Sequence, residues 1–249
     1  MYNSRPSLWN SIPPVTKNLL IINTILWIAT IVFNSKLHFD LNDFLGLHYW
    51  GAEKFNATQL FSYMFMHDSS GISHLFFNMF SLFMFGIVLE RVLGAKRFLF
   101  FYISCGLGAA LIQELVWTAT WRGSFIDIMA RLNTTTASEI EAAFGMLAAR
   151  GDVAQFQNML CTVGASGAVF GILLAFGMLF PNQPMYLMFI PIPIKAKWMV
   201  IGYGAIELFF GVSHTMQGVA HYAHLGGMLF GFLIIWYWKK KGVINGGWY

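Results

Sequence analysis

Charge is what this chain has least of. Only 10% of its 249 residues are Asp, Glu, Lys or Arg, against about 25% in a typical soluble domain, so a water-soluble globule is excluded. Cysteine is almost missing as well. Cys105 and Cys161 are the two present, too few for a disulfide framework and without metal-ligand spacing, and both read as packing residues. No basic cluster exceeds Lys239-Lys240-Lys241, so the net charge of +4 does not describe a nucleic-acid surface. The first seventeen residues hold three prolines and no apolar run. No cleavable signal peptide is therefore expected, and the first span must act as its own insertion signal. No internal repeat and no separate soluble domain are visible.

What the chain does have is apolar length. Hydrophobic residues make up 57%, aromatics 17%, with 24 glycines and a mean hydropathy of +0.60. Trp and Tyr favour membrane interfaces, and Gly is frequent in spanning helices. The apolar runs predict an all-α polytopic membrane protein whose residues 1–249 form one domain. Its six spans fall at about 18–34, 72–90, 97–118, 165–181, 197–212 and 219–238. Between the first two lies a mixed loop, 36–70, whose aromatic content suggests that it rests in the membrane interface.

Residues 119–160 form a longer insert. Within it Ser138-Glu139-Ile140-Glu141 has the form of a capping box with Ser138 at the N-cap. Ile140, Ala143, Phe144 and Leu147 then recur at helical spacing, and Arg150-Gly151 gives a stop. This predicts a short amphipathic helix. If the N-terminus is cytoplasmic, ten of the fifteen Lys and Arg residues lie on inner segments. The charge bias then places both termini inside, in what is read as a bacterial plasma (inner) membrane.

Three polar motifs stand at the start of alternate spans, all entering from the outer side: His74-Leu75-Phe76-Phe77-Asn78, Gly164-Ala165-Ser166-Gly167 and Ala223-His224-Leu225-Gly226-Gly227. His74 and Asn78 are four apart and share a helix face. Taken singly, each group could be interhelical glue. Together they fit a division of labour. A serine needs a neighbouring base to become a nucleophile, and His224 can supply it. A tetrahedral oxyanion needs donors, and His74, Asn78 and the Ser166 backbone N–H can supply them. Gly167 with Gly171, and Gly227 with Gly231, form small-xxx-small grooves that let two helices approach closely.

The set resembles the rhomboid intramembrane serine proteases. The matching pieces are Met66-His67 before the His74–Asn78 motif, Leu89-Glu90-Arg91-Val92-Leu93-Gly94 at the exit of the second span, the Gly164–Gly167 motif, and Ala223–Gly227 with Gly231. They cover about 60–118 and 162–238 most clearly. The resemblance implies a rhomboid-like six-helix bundle and a Ser166–His224 dyad without an acidic third member. It also implies an oxyanion pocket from His74 and Asn78, with Phe170 packed on the catalytic imidazole. The implied reaction is hydrolysis of peptide bonds in or near transmembrane segments of other proteins. Substrate would enter laterally, past the fifth span and the loop near 213–218. The partners are then transmembrane substrates and the lipid bilayer; no cofactor, metal or nucleic acid is expected, and the sequence specifies no oligomeric state.

Two departures from the family pattern stand out. Thr58 and Gln59 occupy the place of a frequent Trp-Arg pair in the loop before the second span, and the 119–160 insert is long. Rival readings fit less well. A non-cutting rhomboid-like protein that binds membrane clients would usually lack the serine or the histidine. A metal or haem site from His67, His74, His221 and His224 would leave Ser166 unexplained, and no carboxylate or cysteine is expected at that depth; His221 is read instead as capping or hydrogen-bonding a neighbouring helix. A transporter would want charged residues at mid-span, where Glu114 alone comes near.

Overall fold

A computed structural model describes residues 8–187, 190–213 and 220–244. The long elements are α1 (Pro14–Val32, extended by a π-helical turn at Phe33–Leu37), α2 (Ser73–Leu93, with a π-helical turn at Leu82–Gly86), α3 (Ala95–Asn133), α4 (Ala137–Ala149), α5 (Asp152–Met159), α6 (Ser166–Leu179), α7 (Ala196–Ser213) and α8 (His221–Lys240). Among the described residues three helices, Pro14–Leu37, Ser73–Leu93 and Ala95–Asn133, are long and apolar enough to cross a membrane. Large apolar side chains such as Ile25, Trp198 and Phe209 stand outward on the bundle, as a lipid-facing surface requires.

The bundle is built around α6. Ten of its 14 residues are buried, because glycine and alanine line much of its surface and neighbouring backbones can close on it. It packs most heavily on α8 and then on α3. Phe98, Phe101, Tyr102 and Cys105 of α3 are fully buried in the same core. The ends are tied by polar contacts. Both carboxylate oxygens of Glu90, at the end of α2, accept from the start of α1: Val15 N at 2.9 Å, Thr16 N at 2.7 Å and Thr16 Oγ1 at 2.8 Å. Those N–H groups have no partner within their own helix, so Glu90 caps α1 and pins it to α2. At the same end Lys239 Nζ donates to Met178 O at 2.9 Å, holding the tail of α8 to the tail of α6.

Three expectations are corrected. The helix of the third span does not end near Trp117: α3 runs on to Asn133. Thr118 and Thr120, which look like a break, return their hydroxyls to Glu114 O and Val116 O, and so sit in a helix without strain. The capping box lies two residues earlier than expected. Thr136 is the N-cap and Glu139 the N3 partner; Ser138 is already inside α4, and Glu141 pairs with Arg122 at 2.5 Å. The insert is also more than one amphipathic helix. The end of α3, α4 and α5 enclose a small core of their own around Phe125, Ile140 and Leu147.

The 36–70 loop is folded on the bundle. It carries helical turns at Leu41–Leu45 and Gln59–Ser62 and a short strand, β1 (Leu47–His48). β1 pairs antiparallel with β2 (Cys161–Thr162), so this loop is fastened to the segment that leads into α6. Gln59 is the anchor. Its Oε1 accepts from His48 N and Asn56 N, and its Nε2 donates to Phe44 O and Lys54 O. One buried amide thus satisfies four backbone groups where the family's usual pair is missing. The connection into α7 is a hairpin of β3 (Pro184–Leu187) and β4 (Ile190–Lys195). Of the entry loop near 213–218, residues 214–218 lie outside the described residues, as does residue 219, the first position of the sixth span.

Candidate active site

Ser166 is the first residue of α6, and the chain reaches it through Gly164, whose φ of +138° is reserved for glycine. Space demands glycine there too. A Cβ on Gly164 would stand 3.0 Å from His74 Nε2 and 3.4 Å from Ser166 Oγ, so Gly164 lies between these two side chains. Its N–H is held by Tyr63 O at 3.0 Å. Ala165 offers no side-chain cap to α6. The first N–H groups of that helix are therefore open donors carrying the positive end of its dipole.

His224, one turn into α8, meets the serine. Its Nε2 lies 2.8 Å from Ser166 Oγ. Its ring stacks on Phe170 of α6, with centroids 4.2 Å apart and planes 9° from parallel. This close approach depends on the glycines. A Cβ on Gly227 would stand 1.8 Å from Gly167 O, and one on Gly231 would stand 3.1 Å from Gly171 O. Backbone rather than side chain fills each gap, which fixes the separation of the two helices.

His74 and Asn78 of α2 line the same cleft, which has a volume of about 790 Å³. Asn78 Nδ2 donates to His74 O at 2.9 Å, which leaves the amide one further N–H. His74 Nδ1 accepts from Asp68 N at 3.3 Å, orienting Nε2 toward Gly164. His67 sits behind, fully buried, its ring 5.1 Å from that of His74. Burial, and then the neighbouring His74, push its pKa down to about 3. Asp68, beside it, is held below the ordinary carboxylate range by hydrogen bonds from the backbone and then the hydroxyl of Ser70.

One residue escaped the sequence reading. Glu207 of α7 is buried, and its Oε2 lies 2.6 Å from Nδ1 of His221 and 3.0 Å from Nδ1 of His224. The first contact is a well-aimed hydrogen bond. The second is close but off the line of an N–H bond, and Nδ1 of His224 has no better partner. His221 thus bonds a neighbouring helix, but through an acid that was not expected there. The signal was available: Glu207 is the one charged residue between Trp198 and Ser213, and a lone acid in an apolar span marks function by default. The ground on which a metal was set aside, that no carboxylate shares this depth, does not hold. The ligand atoms of Glu207, His221 and His224 all lie within 4.8 Å of one another.

A family model described as the Rhomboid domain matches residues 54–241. The chain is 28% identical over 167 residues to "Rhomboid protein 1, mitochondrial" of Saccharomyces cerevisiae, a match covering 67% of this chain and 38% of that protein. It is 26% identical over 231 residues to "Rhomboid protease AarA" of Providencia stuartii, covering 88% of this chain and 70% of that one. The chain thus spans well under half the length of the yeast relative and most of the bacterial one.

Proposed function

The chain belongs to the rhomboid family, and on that premise we propose that it is an intramembrane serine endopeptidase acting through Ser166 and His224. It is an integral membrane protein. Our reading adds three points: six helices, α1, α2, α3, α6, α7 and α8, cross the bilayer; both termini face the cytoplasm of a bacterial cell; and the substrates are transmembrane segments of other proteins.

The observation that carries the reading is the 2.8 Å contact between Ser166 Oγ and His224 Nε2. In the first step Oγ attacks the scissile carbonyl carbon and its proton passes to Nε2. The carbonyl oxygen becomes an oxyanion. It is met by the open N–H groups at the start of α6 and by His74, with the free N–H of Asn78 as a further donor. As the tetrahedral intermediate collapses, the imidazolium gives its proton to the leaving amine. An acyl-serine remains. Water from the cleft, deprotonated by Nε2, then attacks the ester, and the serine recovers its hydrogen. Phe170 holds the imidazole plane through both halves, so the same nitrogen serves as base and acid without reorientation. A client-binding protein that does not cut would have no use for this contact.

The test is covalent labelling of the purified protein with a fluorophosphonate, with the modified residue identified by mass spectrometry. Labelling at Ser166 is expected, lost in Ser166→Ala and in His224→Ala. Cleavage of a membrane substrate by purified Ser166→Ala would overturn the proposal.

A further inference from the structure

The geometry points to Glu207 as a positioning residue for His224: the serine–imidazole pair has a buried carboxylate behind it, itself clamped by His221. This rests on the reading of Ser166 and His224 above, and adds to that reading an acidic member which the family resemblance does not imply.

The hydrogen-bond inventory of the imidazole leads there. For Ser166 to be deprotonated, Nε2 of His224 must accept, and the two atoms are 2.8 Å apart. A neutral imidazole carries one proton, so that proton must sit on Nδ1. The polar atom facing Nδ1 is Oε2 of Glu207 at 3.0 Å. The carboxylate therefore selects the tautomer in which Nε2 is free to act as a base. When Nε2 takes the serine proton the ring becomes a cation with its Nδ1–H toward a carboxylate, an arrangement that stabilises the charge without moving the proton off the ring.

A buried carboxylate in an apolar helix is costly unless its oxygens are satisfied. His221 supplies what is needed: its Nδ1 lies 2.6 Å from the same oxygen, and its ring rests on Phe210 at 5.6 Å. His221 and His224 are three residues apart on α8, so a single acid on α7 fastens one face of α8 at two points. Two imidazoles sharing one carboxylate leave the shorter bond to His221. The longer contact to His224 is off the line of an N–H bond, so Glu207 acts on that ring chiefly through the nearness of its charge. The groups facing His224 are Ser166 and Phe170 from α6, Glu207 from α7, His221 on its own helix, and His74 of α2 across Gly164.

The experiment compares fluorophosphonate labelling rates at Ser166 from pH 5 to 9 for the full-length wild type, Glu207→Gln and Glu207→Asp, with the thermal midpoint of each in detergent. Losing a charged hydrogen-bond partner is expected to slow Glu207→Gln by on the order of ten- to a hundred-fold. The acidic midpoint of its profile should move to lower pH by about one pH unit, because the imidazolium has lost its counter-charge. Glu207→Asp should recover part of the rate and keep the wild-type midpoint. A residue that only packs α7 on α8 would change the thermal midpoint but not the pH midpoint. If Glu207→Gln does not fold, Glu207→Asp decides alone: a midpoint displaced from wild type would overturn the inference. Wild-type labelling with an unchanged rate and pH midpoint in Glu207→Gln overturns this inference alone; a wild type that does not label sinks the serine reading and this one together. Stoichiometric zinc in the wild type, lost in Glu207→Gln, would assign the three residues to a metal and likewise overturn it.

Discussion

Replacing Gly227 with alanine adds a single methyl group, and its consequences can be worked out from the packing of α6 on α8. The new Cβ would stand 1.8 Å from Gly167 O, whereas a carbon and a carbonyl oxygen rest about 3.3 Å apart. The helices must therefore separate by on the order of 1.5 Å at this level, since backbone cannot rotate away as a side chain would. Gly227 lies one turn from His224, and Gly167 is the neighbour of Ser166, so most of that displacement passes into the 2.8 Å contact between the serine and the imidazole. Opened by even 1 Å, that contact is no longer a hydrogen bond, and a misplacement of this size costs about a hundred-fold in rate. Stability should suffer less. Overpacking costs about 1–3 kcal/mol, and alanine returns close to 1 kcal/mol of helix propensity. The expected result is a folded protein, destabilised by at most about 2 kcal/mol, whose fluorophosphonate labelling rate falls by about a hundred-fold. Gly123→Ala is the control: nothing lies within 4 Å of the added carbon, and labelling should not change. A Gly227→Ala variant that labels within about threefold of wild type would refute the claim that glycine packing sets the distance between the two side chains.

Two further predictions concern stability. His67 is fully buried with its pKa lowered to about 3, so below an unfolded-state value of about 6.5 the unfolded chain takes up a proton that the folded chain refuses. Stability is complete above that value and falls as the pH drops toward 3. Between pH 6.5 and 5 wild type should lose about 2 kcal/mol more than His67→Phe, read from unfolding curves in detergent; identical pH dependence in the two would show that His67 is not held neutral. Phe125 is 1% exposed and meets the rings of Phe144 and Phe156 at 5.9 and 5.4 Å. Phe125→Ala should weaken the small core of the insert by about 3–5 kcal/mol, speeding amide exchange across 137–159, while labelling at Ser166 stays within about twofold of wild type; labelling lost in step with exchange would show that the insert is part of the site.

How much could be read in advance follows from what each feature depends on. The positions of the helices follow from apolar runs, which are local. That Ser166, His74 and His224 reach one end of the bundle follows from their places at the start of alternate helices, since consecutive antiparallel helices return their starts to the same side. The glycine pairs announce a close crossing because the spacing of four is visible in the chain. What stayed hidden depends on partners far away in sequence. Gln59 looks like a missing anchor until the backbone groups of four separate residues converge on it. Thr118 and Thr120 look like a helix end until their hydroxyls find carbonyls one turn back. Glu207 was missed for a different reason. It is the one charged residue between Trp198 and Ser213, a signal that was legible but passed over, and which groups it serves shows only in the two imidazoles that α8 brings beside it.

The depth of the site comes from the shortness of α6. Lys239 and Met178 hold the lower ends of α8 and α6 together, so heights can be counted from there. His224 is fifteen residues above Lys239, and Ser166 is twelve above Met178; at 1.5 Å per residue these are rises of about 22 and 18 Å. The length of the lysine side chain makes up the difference, and the serine meets the imidazole. A hydrocarbon core is about 30 Å thick, so a helix of 14 residues, spanning about 21 Å, is shorter than that core, and the starts of α2 and α8, Ser73 and His221, lie only one and three residues before His74 and His224. The space left above Ser166 is the cleft of about 790 Å³. A full-length α6 would fill that cleft and lift its first residue to the surface, where water is plentiful but no membrane segment lies within reach. On the serine-protease reading proposed above, hydrolysis inside a bilayer needs both, and a short helix at the centre of longer ones would provide for both at once: a nucleophile at membrane depth, beneath an opening that water can enter.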